Sequence, residues 1–217
     1  MTYDQATISR LTAEALLEIE AVLFARGEPF TFTSGRKSPV YVDIRKVNSF
    51  PRVRSTLMDF AVATLQRDLG FERLDGVAGG ETAGISYAAL IADRLGLPMQ
   101  YVRKEAKGFG RMAQIEGHLR DGARTLLVED LQSEGSSKER FVKALRDAGA
   151  VVSDTFVIFH YGIFPESIAT NERLGVKLHA LATWWDVLAV AREKRIFDDS
   201  ELDAVERFLR DPHGWRP

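Results

Sequence analysis

The chain has 217 residues, 45% hydrophobic and 28% charged, which is typical of a globular protein and excludes disordered and membrane-spanning compositions. The 29 Lys and Arg against 31 Asp and Glu give a formal net charge of −2, which offers no general positive field for nucleic acid. The absence of cysteine excludes disulfides, thiolate metal sites and cysteine nucleophiles, and fits a reducing compartment, so the cytoplasm is the expected location.

The first predicted element is an amphipathic helix. Apolar residues recur at helical spacing from Ile8 to Leu23, which predicts a helix ending near Gly27. The next stretch, FTFTSGRKSPVYVDIR, has two strand-forming runs on either side of a Ser-Gly-Arg-Lys-Ser-Pro turn. This pattern predicts a hairpin with two cations, Arg36 and Lys37, at its tip. The hairpin is expected to be a small appendage to the main fold.

From residue 49 onward, predicted helices and strands alternate. Apolar runs without alternation, such as TLLV and TFVIF, are typical of buried parallel strands. The sequence therefore predicts a doubly wound, mainly parallel sheet flanked by helices, in a single domain over residues 1–217, with ligands beyond the carboxyl ends of the strands. The predicted helices are 51–69, 85–95, 138–148, 185–192 and 200–209, and the predicted strands are 74–80, 99–103, 124–130, 151–159 and 176–184.

The strongest functional signal is the segment RTLLVEDLQSEGSSKERF. An apolar strand ends in Glu129 and Asp130, and a loop of small polar residues then leads into a helix. Backbone N–H groups in such a turn and in the first helical turn converge on an anion, and small side chains let a phosphate approach. The spacing lacks the Gly-Lys-Ser/Thr of nucleotide triphosphatases. The alternative is an ordinary strand-to-helix turn capped by Ser136 or Ser137.

Two further segments are compatible with an anion. YVRKEAKGFG carries Arg103, Lys104 and Lys107 beside two glycines, which is typical of a mobile cationic loop that closes over a pyrophosphate and excludes water. A solvated charged loop is the alternative there. VAGGETAGIS again joins a strand to a helix through glycines, and either an anion site or a common βα turn explains it.

Together these motifs resemble the type I phosphoribosyltransferases, and within them the orotate phosphoribosyltransferases. The resemblance spans most of residues 20–160 and rests on FTFTSGRKSPVYVDIR, on RKEAKGFG with IEG downstream, and on VEDLQSEGSSK. It implies the family's fold, with a small hood formed mainly by residues 28–48 and the N-terminal helix. It also implies transfer of phosphoribose from phosphoribosyl pyrophosphate (PRPP) to orotate, which gives orotidine 5′-monophosphate and pyrophosphate in de novo pyrimidine biosynthesis.

The same resemblance implies roles for individual residues. Glu129 and Asp130 would contact the ribose hydroxyls and favour an oxocarbenium-like state, and Lys107 is the leading catalytic cation. Tyr41, Val42, Ser133 and Tyr161 are implied to bind orotate. The residues implied to bind PRPP are Arg103, Lys104, Lys107, Glu129, Asp130, Leu131, Gln132, Ser133, Glu134, Gly135, Ser136 and Ser137.

The resemblance also implies a cofactor and a partner. Mg²⁺ would be bound through PRPP oxygens and water rather than in a protein cage, so no protein metal ligand is expected. A homodimer is implied, in which the loop over residues 103–112 reaches the partner's site. No nucleic acid and no membrane is expected among the partners.

The chain departs from the family's pattern at three places. Thr33 replaces the usual lysine before the Ser-Gly of the hood, and Phe109 replaces the loop's usual histidine. The arginine that pairs with orotate in many relatives is absent, and His160 and Tyr161 stand there instead. A protonated His160, backbone amides of the hood, or a different base would resolve this, because neutral His or Tyr cannot reproduce a bidentate charged partner. A packed, neutral His160 is the alternative.

Two other functions remain open from the sequence. The missing arginine allows a phosphoribosyltransferase for a different nucleobase. A regulator that senses PRPP and binds nucleic acid is disfavoured, because the net charge is negative and no added DNA-binding segment is evident.

Overall fold

The computed structural model describes residues 4–25, 28–32, 35–108, 110 and 113–216, without the side chain of Ser136. Seven α-helices are described: α1 (Gln5–Glu18), α2 (Pro51–Leu69), α3 (Ala83–Leu95), α4 (Ser136–Asp147), α5 (Pro165–Leu174), α6 (Trp184–Lys194) and α7 (Asp199–Arg210), together with a 3-10 helix over Ile44–Ser49. The described strands are β1 (Val22–Phe24), β2 (Phe30–Thr31), β3 (Lys37–Ser38), β4 (Val40–Val42), β5 (Gly76–Gly80), β6 (Met99–Val102), β7 (Ile115–Glu116), β8 (Thr125–Gln132), β9 (Asp154–His160) and β10 (Lys177–Thr183).

The central sheet has six strands in the order β10-β9-β8-β5-β6-β7. Every neighbouring pair is parallel except β6 with the short edge strand β7. The prediction of a mainly parallel sheet is therefore confirmed. Because β5, β8 and β9 run in the same direction, the segments that follow them meet at one edge of the sheet.

Helices cover both faces of this sheet. Val77 and Val128 belong to the larger apolar cluster, which includes residues of α1, α2 and α3, whereas Ala78 and Leu127 pack in a second cluster with Phe141 of α4. Successive strand residues thus point to opposite layers, as a doubly wound sheet requires. Over the described residues, no helix combines the length and the apolar character needed to cross a lipid bilayer.

The prediction that the first helix continues to Gly27 is wrong. Helix α1 ends at Glu18, Glu20 has a positive φ of 53°, and Val22 begins a strand. That strand pairs antiparallel with β4, placing Val22 opposite Val42. Val22 is buried in this strand, so its apolar character could not distinguish a continued helix from a paired strand. Gly27 itself lies outside the described residues.

The predicted hairpin forms, but its second strand is divided between two partners. Phe30 lies opposite Ser38 in the β2–β3 pair, whereas β4 turns away to pair with β1. Thr33 and Ser34 lie outside the described residues. Helix α5, strand β7 and the 3-10 helix were not predicted. The strand predicted over residues 151–159 begins only at Asp154, because Val151 forms a single isolated bridge with Arg124.

Candidate active site

A cavity of about 440 Å³ lies at the carboxyl edge of the sheet, a volume suited to a small ligand. Its walls come from the ends of β5 and β8, the first turns of α3 and α4, and strand β4 with the 3-10 helix that follows it. Ten residues implied by the sequence to bind substrate line it: Tyr41, Val42, Lys104, Glu129, Asp130, Leu131, Gln132, Ser133, Gly135 and Ser137. Three separated stretches of sequence thus meet at one site.

Other predicted site residues lie outside this lining. The side chain of Arg103 faces Glu116, with Nη1 and Oε1 3.5 Å apart. Lys107 is exposed, and its backbone N–H donates to the carbonyl of Ala113 at 2.8 Å. Glu134 pairs with a hood arginine, and Tyr161 is buried in the core. Phe109 and the side chain of Ser136 are outside the described part of the chain. Roles for all these residues stay predictions.

The two carboxylates at the end of β8 are held in a low-polarity setting. Burial raises the pKa of Glu129, and a hydrogen bond donated by Ser137 Oγ to Glu129 Oε1 at 2.8 Å opposes that rise. Burial also raises the pKa of Asp130, against the effect of the Leu131 backbone N–H and the charge of Arg45. Two desolvated carboxylates side by side favour a positive charge placed between or above them. The arrangement therefore suits a cationic sugar intermediate.

The geometry of the loop over residues 133–137, called the phosphate loop below, comes from Gly135. This residue has a φ of 90° and immediately precedes Ser136, the first residue of α4. A glycine adopts this conformation without strain, and it turns the chain so that the N–H groups of the first helical turn stand free of intrahelical partners. The alternative of a serine cap does not hold for Ser137, because its hydroxyl donates to Glu129 instead. The helix start is thus available to an anion.

A buried lysine under this loop was not predicted from the sequence. Lys138 is fully buried, and its Nζ donates to Gln132 Oε1, to Thr155 Oγ1 at 2.9 Å and to Asn171 Oδ1 at 3.3 Å. Burial lowers its pKa to about 8, which the nearby charge of Glu129 opposes. Lysine is almost never fully buried without partners. The signal in the sequence was only a lysine directly after the two serines of the loop.

The glycine turn VAGGETAGIS is explained mainly by packing. A Cβ on Gly79 would lie 2.7 Å from Ile85 Cα, and one on Gly80 would lie 2.8 Å from the Phe141 ring. These glycines let α3 and α4 approach β5 closely. The next residue, Glu81, lines the cavity and accepts a 2.7 Å hydrogen bond from the backbone N–H of Lys104. The sequence patterns did not predict Glu81, whose hydrogen bond connects the beginning of the cationic loop to the cavity.

His160 and Tyr161 do not supply a charge to the cavity. The hydroxyl of Ser167 donates to the Phe164 carbonyl at 2.8 Å, so His160 Nε2, 3.1 Å from that hydroxyl oxygen, must donate to it. Burial lowers the pKa of His160 to about 4, which leaves the ring neutral at pH 7. Tyr161 is packed 5.8 Å from Trp184, and burial raises its pKa. These contacts agree with a packed, neutral His160.

Two cations line the cavity among the residues that the structure describes: Lys104 and Arg45. Arg45 lies in the 3-10 helix just after the hood strand, and its Nε is 3.1 Å from Asp43 Oδ1. A third cation, Arg36, lies nearby on the hood, with Cζ 4.8 Å from the Phe164 ring centre and Nη2 3.2 Å from Glu134 Oε1. The hood therefore brings positive charge close to the site at Arg36 and Arg45, and not at His160 or Tyr161.

The carboxylates that line the cavity are also candidate ligands for a Mg²⁺ ion. Within the described ranges, no group of three or more His, Cys, Asp or Glu side chains is arranged to hold a metal ion. Glu81, Glu129 and Asp130 all line the cavity, and carboxylate oxygens are ligands that Mg²⁺ accepts. These three carboxylates are therefore chemically suited to an Mg²⁺ ion in the cavity.

Comparison with known proteins gives consistent relatives. No model of a known protein family matches the chain. Orotate phosphoribosyltransferases from Dinoroseobacter shibae and Roseobacter denitrificans are 59% and 55% identical over 213 residues, which is 98% of this chain and 94% and 95% of theirs. The crystal structure of orotate phosphoribosyltransferase from Aeropyrum pernix has a TM-score of 0.72 at 31% identity, covering 86% of this chain and 99% of that one.

A second solved structure supports the fold only. Orotate phosphoribosyltransferase from Mycobacterium tuberculosis, in complex with PRPP, has a TM-score of 0.63 at 24% identity and covers 81% of this chain and 98% of that one. The sheet and its flanking helices are thus shared well beyond the range of close sequence similarity.

Proposed function

Because the chain belongs to the orotate phosphoribosyltransferases, we propose that it transfers the phosphoribosyl group of PRPP to N1 of orotate, giving orotidine 5′-monophosphate and pyrophosphate in pyrimidine biosynthesis. The observation that carries this within the structure is the pair Glu129 and Asp130, which lines the cavity together with Gly135 at the start of α4. Neither a different nucleobase nor nucleic-acid sensing is favoured by these relatives.

The proposed binding mode follows the chemistry of the cavity. The 5′-phosphate of PRPP lies on the backbone N–H groups of the loop over residues 133–137 and at the start of α4. The ribose hydroxyls meet Glu129 and Asp130. As the bond from C1 to the pyrophosphate oxygen breaks and the bond from C1 to N1 of orotate forms, positive charge develops on the sugar. The two desolvated carboxylates interact more favourably with this charged ring of the transition state than with the uncharged ribose ring of the ground state.

The leaving pyrophosphate requires positive charge as well. Lys104 lines the cavity, and we place the pyrophosphate beside it, with Arg103 and Lys107 completing the neutralisation when the loop closes. Magnesium bound to the substrate's oxygens would supply further neutralisation, with Glu81 or Asp130 as protein-side oxygen donors. Water is excluded as the loop covers the site, which strengthens each of these interactions.

We assign the carboxylate of orotate to Arg45. His160 is neutral and lies outside the cavity lining, so it cannot replace the family's missing arginine. Arg45 lines the cavity on the same side as Tyr41 and Val42, the implied walls of the base pocket. A guanidinium can bind a carboxylate through two N–H groups, which neither tyrosine nor neutral histidine can do. In this assignment Tyr161 does not bind the carboxylate and instead packs in the core against Trp184.

The remaining proposals concern assembly. We expect a homodimer in which Lys107 and its loop act partly in the partner's site. We also expect the chain over residues 1–217 to act as one domain, with residues 28–48 and the N-terminal helix forming the hood over the base. The cytoplasm remains the expected location.

The first experiment follows the loss of orotate absorbance with PRPP and magnesium, in the wild type and in Lys107→Ala and Asp130→Asn. We expect magnesium-dependent consumption of orotate, slowed by orders of magnitude in both variants because charge stabilisation of the transition state is removed. If the wild type leaves orotate untouched but consumes another base, the fold assignment survives and the substrate assignment fails. If no base reacts, the proposed function is wrong.

A further inference from the structure

The ammonium of Lys138 connects three elements underneath the phosphate loop. Its partners are Gln132 at the end of β8, Thr155 in β9 and Asn171 in α5. Lys138 itself is the third residue of α4, and it has no exposed surface. It therefore cannot touch a substrate in the cavity, and any effect on the reaction must act through the residues that it holds.

The contact with Gln132 acts on the shape of the loop. Lys138 donates to Gln132 Oε1, which fixes the orientation of the amide and turns Nε2 toward Asn171 Oδ1, 3.4 Å away. The same Nε2 lies beneath Gly135, where an added Cβ would come within 3.0 Å of it. The amide of Gln132 thus supports the turn residue that opens α4 toward an anion.

The charge of Lys138 also acts at short range. The titratable groups whose charges interact with the ammonium are Glu129 on β8 and His160 on β9, while α5 contributes the uncharged Asn171. A cation in a low-dielectric interior acts on nearby charges more strongly than one in water. It offsets the charge of Glu129, which stands beside the site proposed for a phosphate dianion.

We propose that Lys138 is a positioning residue for PRPP, which holds the phosphate loop in its binding shape through Gln132 and offsets the charge of Glu129 from below. This proposal rests on the proposed function, because it assigns the loop to the phosphate of the substrate. A purely structural lysine would change stability alone.

The test compares Lys138→Met, Lys138→Gln and a control on the same helix. Lys138→Met removes charge and donors, and Lys138→Gln keeps an amide donor without the charge. Lys143→Met removes an exposed lysine that pairs with Asp147 in the following turn. Melting temperatures identify variants that fail to fold, and steady-state kinetics with each substrate varied separately give KM for PRPP and for orotate.

We expect KM for PRPP to rise about tenfold or more in Lys138→Met and less in Lys138→Gln, the loss expected when a charge-assisted contact is removed. KM for orotate should change much less, and Lys143→Met should match the wild type. Binding of ribose 5-phosphate, measured directly by calorimetry, should weaken in the same order without any turnover.

A pH profile separates positioning from stability. The pKa of Lys138 is lowered to about 8 by burial, so the wild type should lose affinity for ribose 5-phosphate as pH rises through that region and the ammonium loses its proton. The difference between wild type and Lys138→Gln should shrink above that pH. Glu129, Asp130 and His160 titrate in both proteins, so this difference reports Lys138.

Failure of this inference and failure of the proposed function give different experimental results. A wild type that does not use orotate overturns the function but leaves the ribose 5-phosphate measurement valid. A folded Lys138→Gln variant with wild-type KM for PRPP and wild-type affinity for ribose 5-phosphate would overturn the inference. If Lys138→Met does not fold, Lys138→Gln decides.

Discussion

At the residue scale, the hydrogen bond from Ser137 to Glu129 sets the protonation of a carboxylate in the site. Burial raises the pKa of Glu129 and the Ser137 hydroxyl lowers it again. In Ser137→Ala the pKa of Glu129 should rise further, so the carboxylate is protonated over a wider range. We expect the acid limb of kcat/KM for PRPP to move to higher pH, measured against Ser86→Ala as a control. An acid limb that stays in place would contradict this role.

Arg45 provides a second test at this scale. Arg45→Met should raise KM for orotate by about tenfold or more, because a charged partner of the carboxylate is lost, while KM for PRPP changes little. Arg45→Lys should recover only part of the loss, since an ammonium lacks the planar fork of a guanidinium. Arg52→Met, an exposed change on the neighbouring helix, serves as the control. Equal effects on both substrates would show that Arg45 does not select the base.

The residues that could be predicted from the sequence share one property. Glu129 and Asp130 lie near the end of a recognisable strand, and Ser133 lies between that strand and a helix, so local order alone places them at the edge of a parallel sheet. The roles proposed for Lys138 and Arg45 follow only from the fold. The first depends on Thr155 and Asn171, distant in sequence, and the second on the way the hood closes over β8.

At the scale of elements, the close approach of α3 to β8 positions the carboxylates. A Cβ on Gly84 would overlap the carbonyl oxygen of Val128 and lie 3.1 Å from Glu129 Cα. Gly84→Ala should therefore force backbone atoms apart, lower the free energy of unfolding by about 2 kcal/mol or more, and reduce kcat by displacing Glu129.

The control for this change is Gly96→Ala at the other end of the same helix. Gly96 has a φ of 65° and no atom within 4 Å of an added Cβ, so only backbone strain of about 1 kcal/mol is expected, with kcat unchanged. Thermal unfolding and kinetics on both variants check the comparison. A Gly84→Ala protein as stable and active as Gly96→Ala would show that α3 can shift freely.

The elements that sequence patterns failed to predict have a common physical cause. Strand β1 is only three residues long and gains its hydrogen bonds from β4, so nothing local separates it from the end of α1. Helix α5 begins at Pro165 and lies in a polar stretch with little apolar periodicity. The long buried strands were predicted because their apolar runs are fixed by burial on both faces of the sheet, whatever their partners.

At the scale of the whole molecule, the proposed homodimer makes a prediction about complementation. If Lys107 acts in the partner's site, each active site takes Asp130 from one subunit and Lys107 from the other. Lys107→Ala and Asp130→Asn then remove groups that different subunits contribute. Mixing the two inactive variants with subunit exchange should then restore about a quarter of wild-type activity, since half of the dimers are mixed and each holds one intact site. The control is each variant exchanged with itself. No recovery after verified exchange would place the loop in its own subunit's site.

The pH dependence of folding stability tests the neutral state assigned to His160. Its pKa is about 4 in the folded protein, against about 6.5 for an unperturbed histidine, so between these values the unfolded chain binds more protons. The free energy of unfolding should therefore fall as pH drops from about 6.5 to about 4, by at most about 1.4 kcal/mol per pH unit from this group. His160→Gln keeps a donor toward Ser167 but cannot titrate, so its stability should fall less steeply over the same range in urea unfolding. If both proteins lose stability at the same rate, His160 binds a proton in the folded state as readily as in the unfolded chain. His160 would then again be a candidate for the charged partner of orotate.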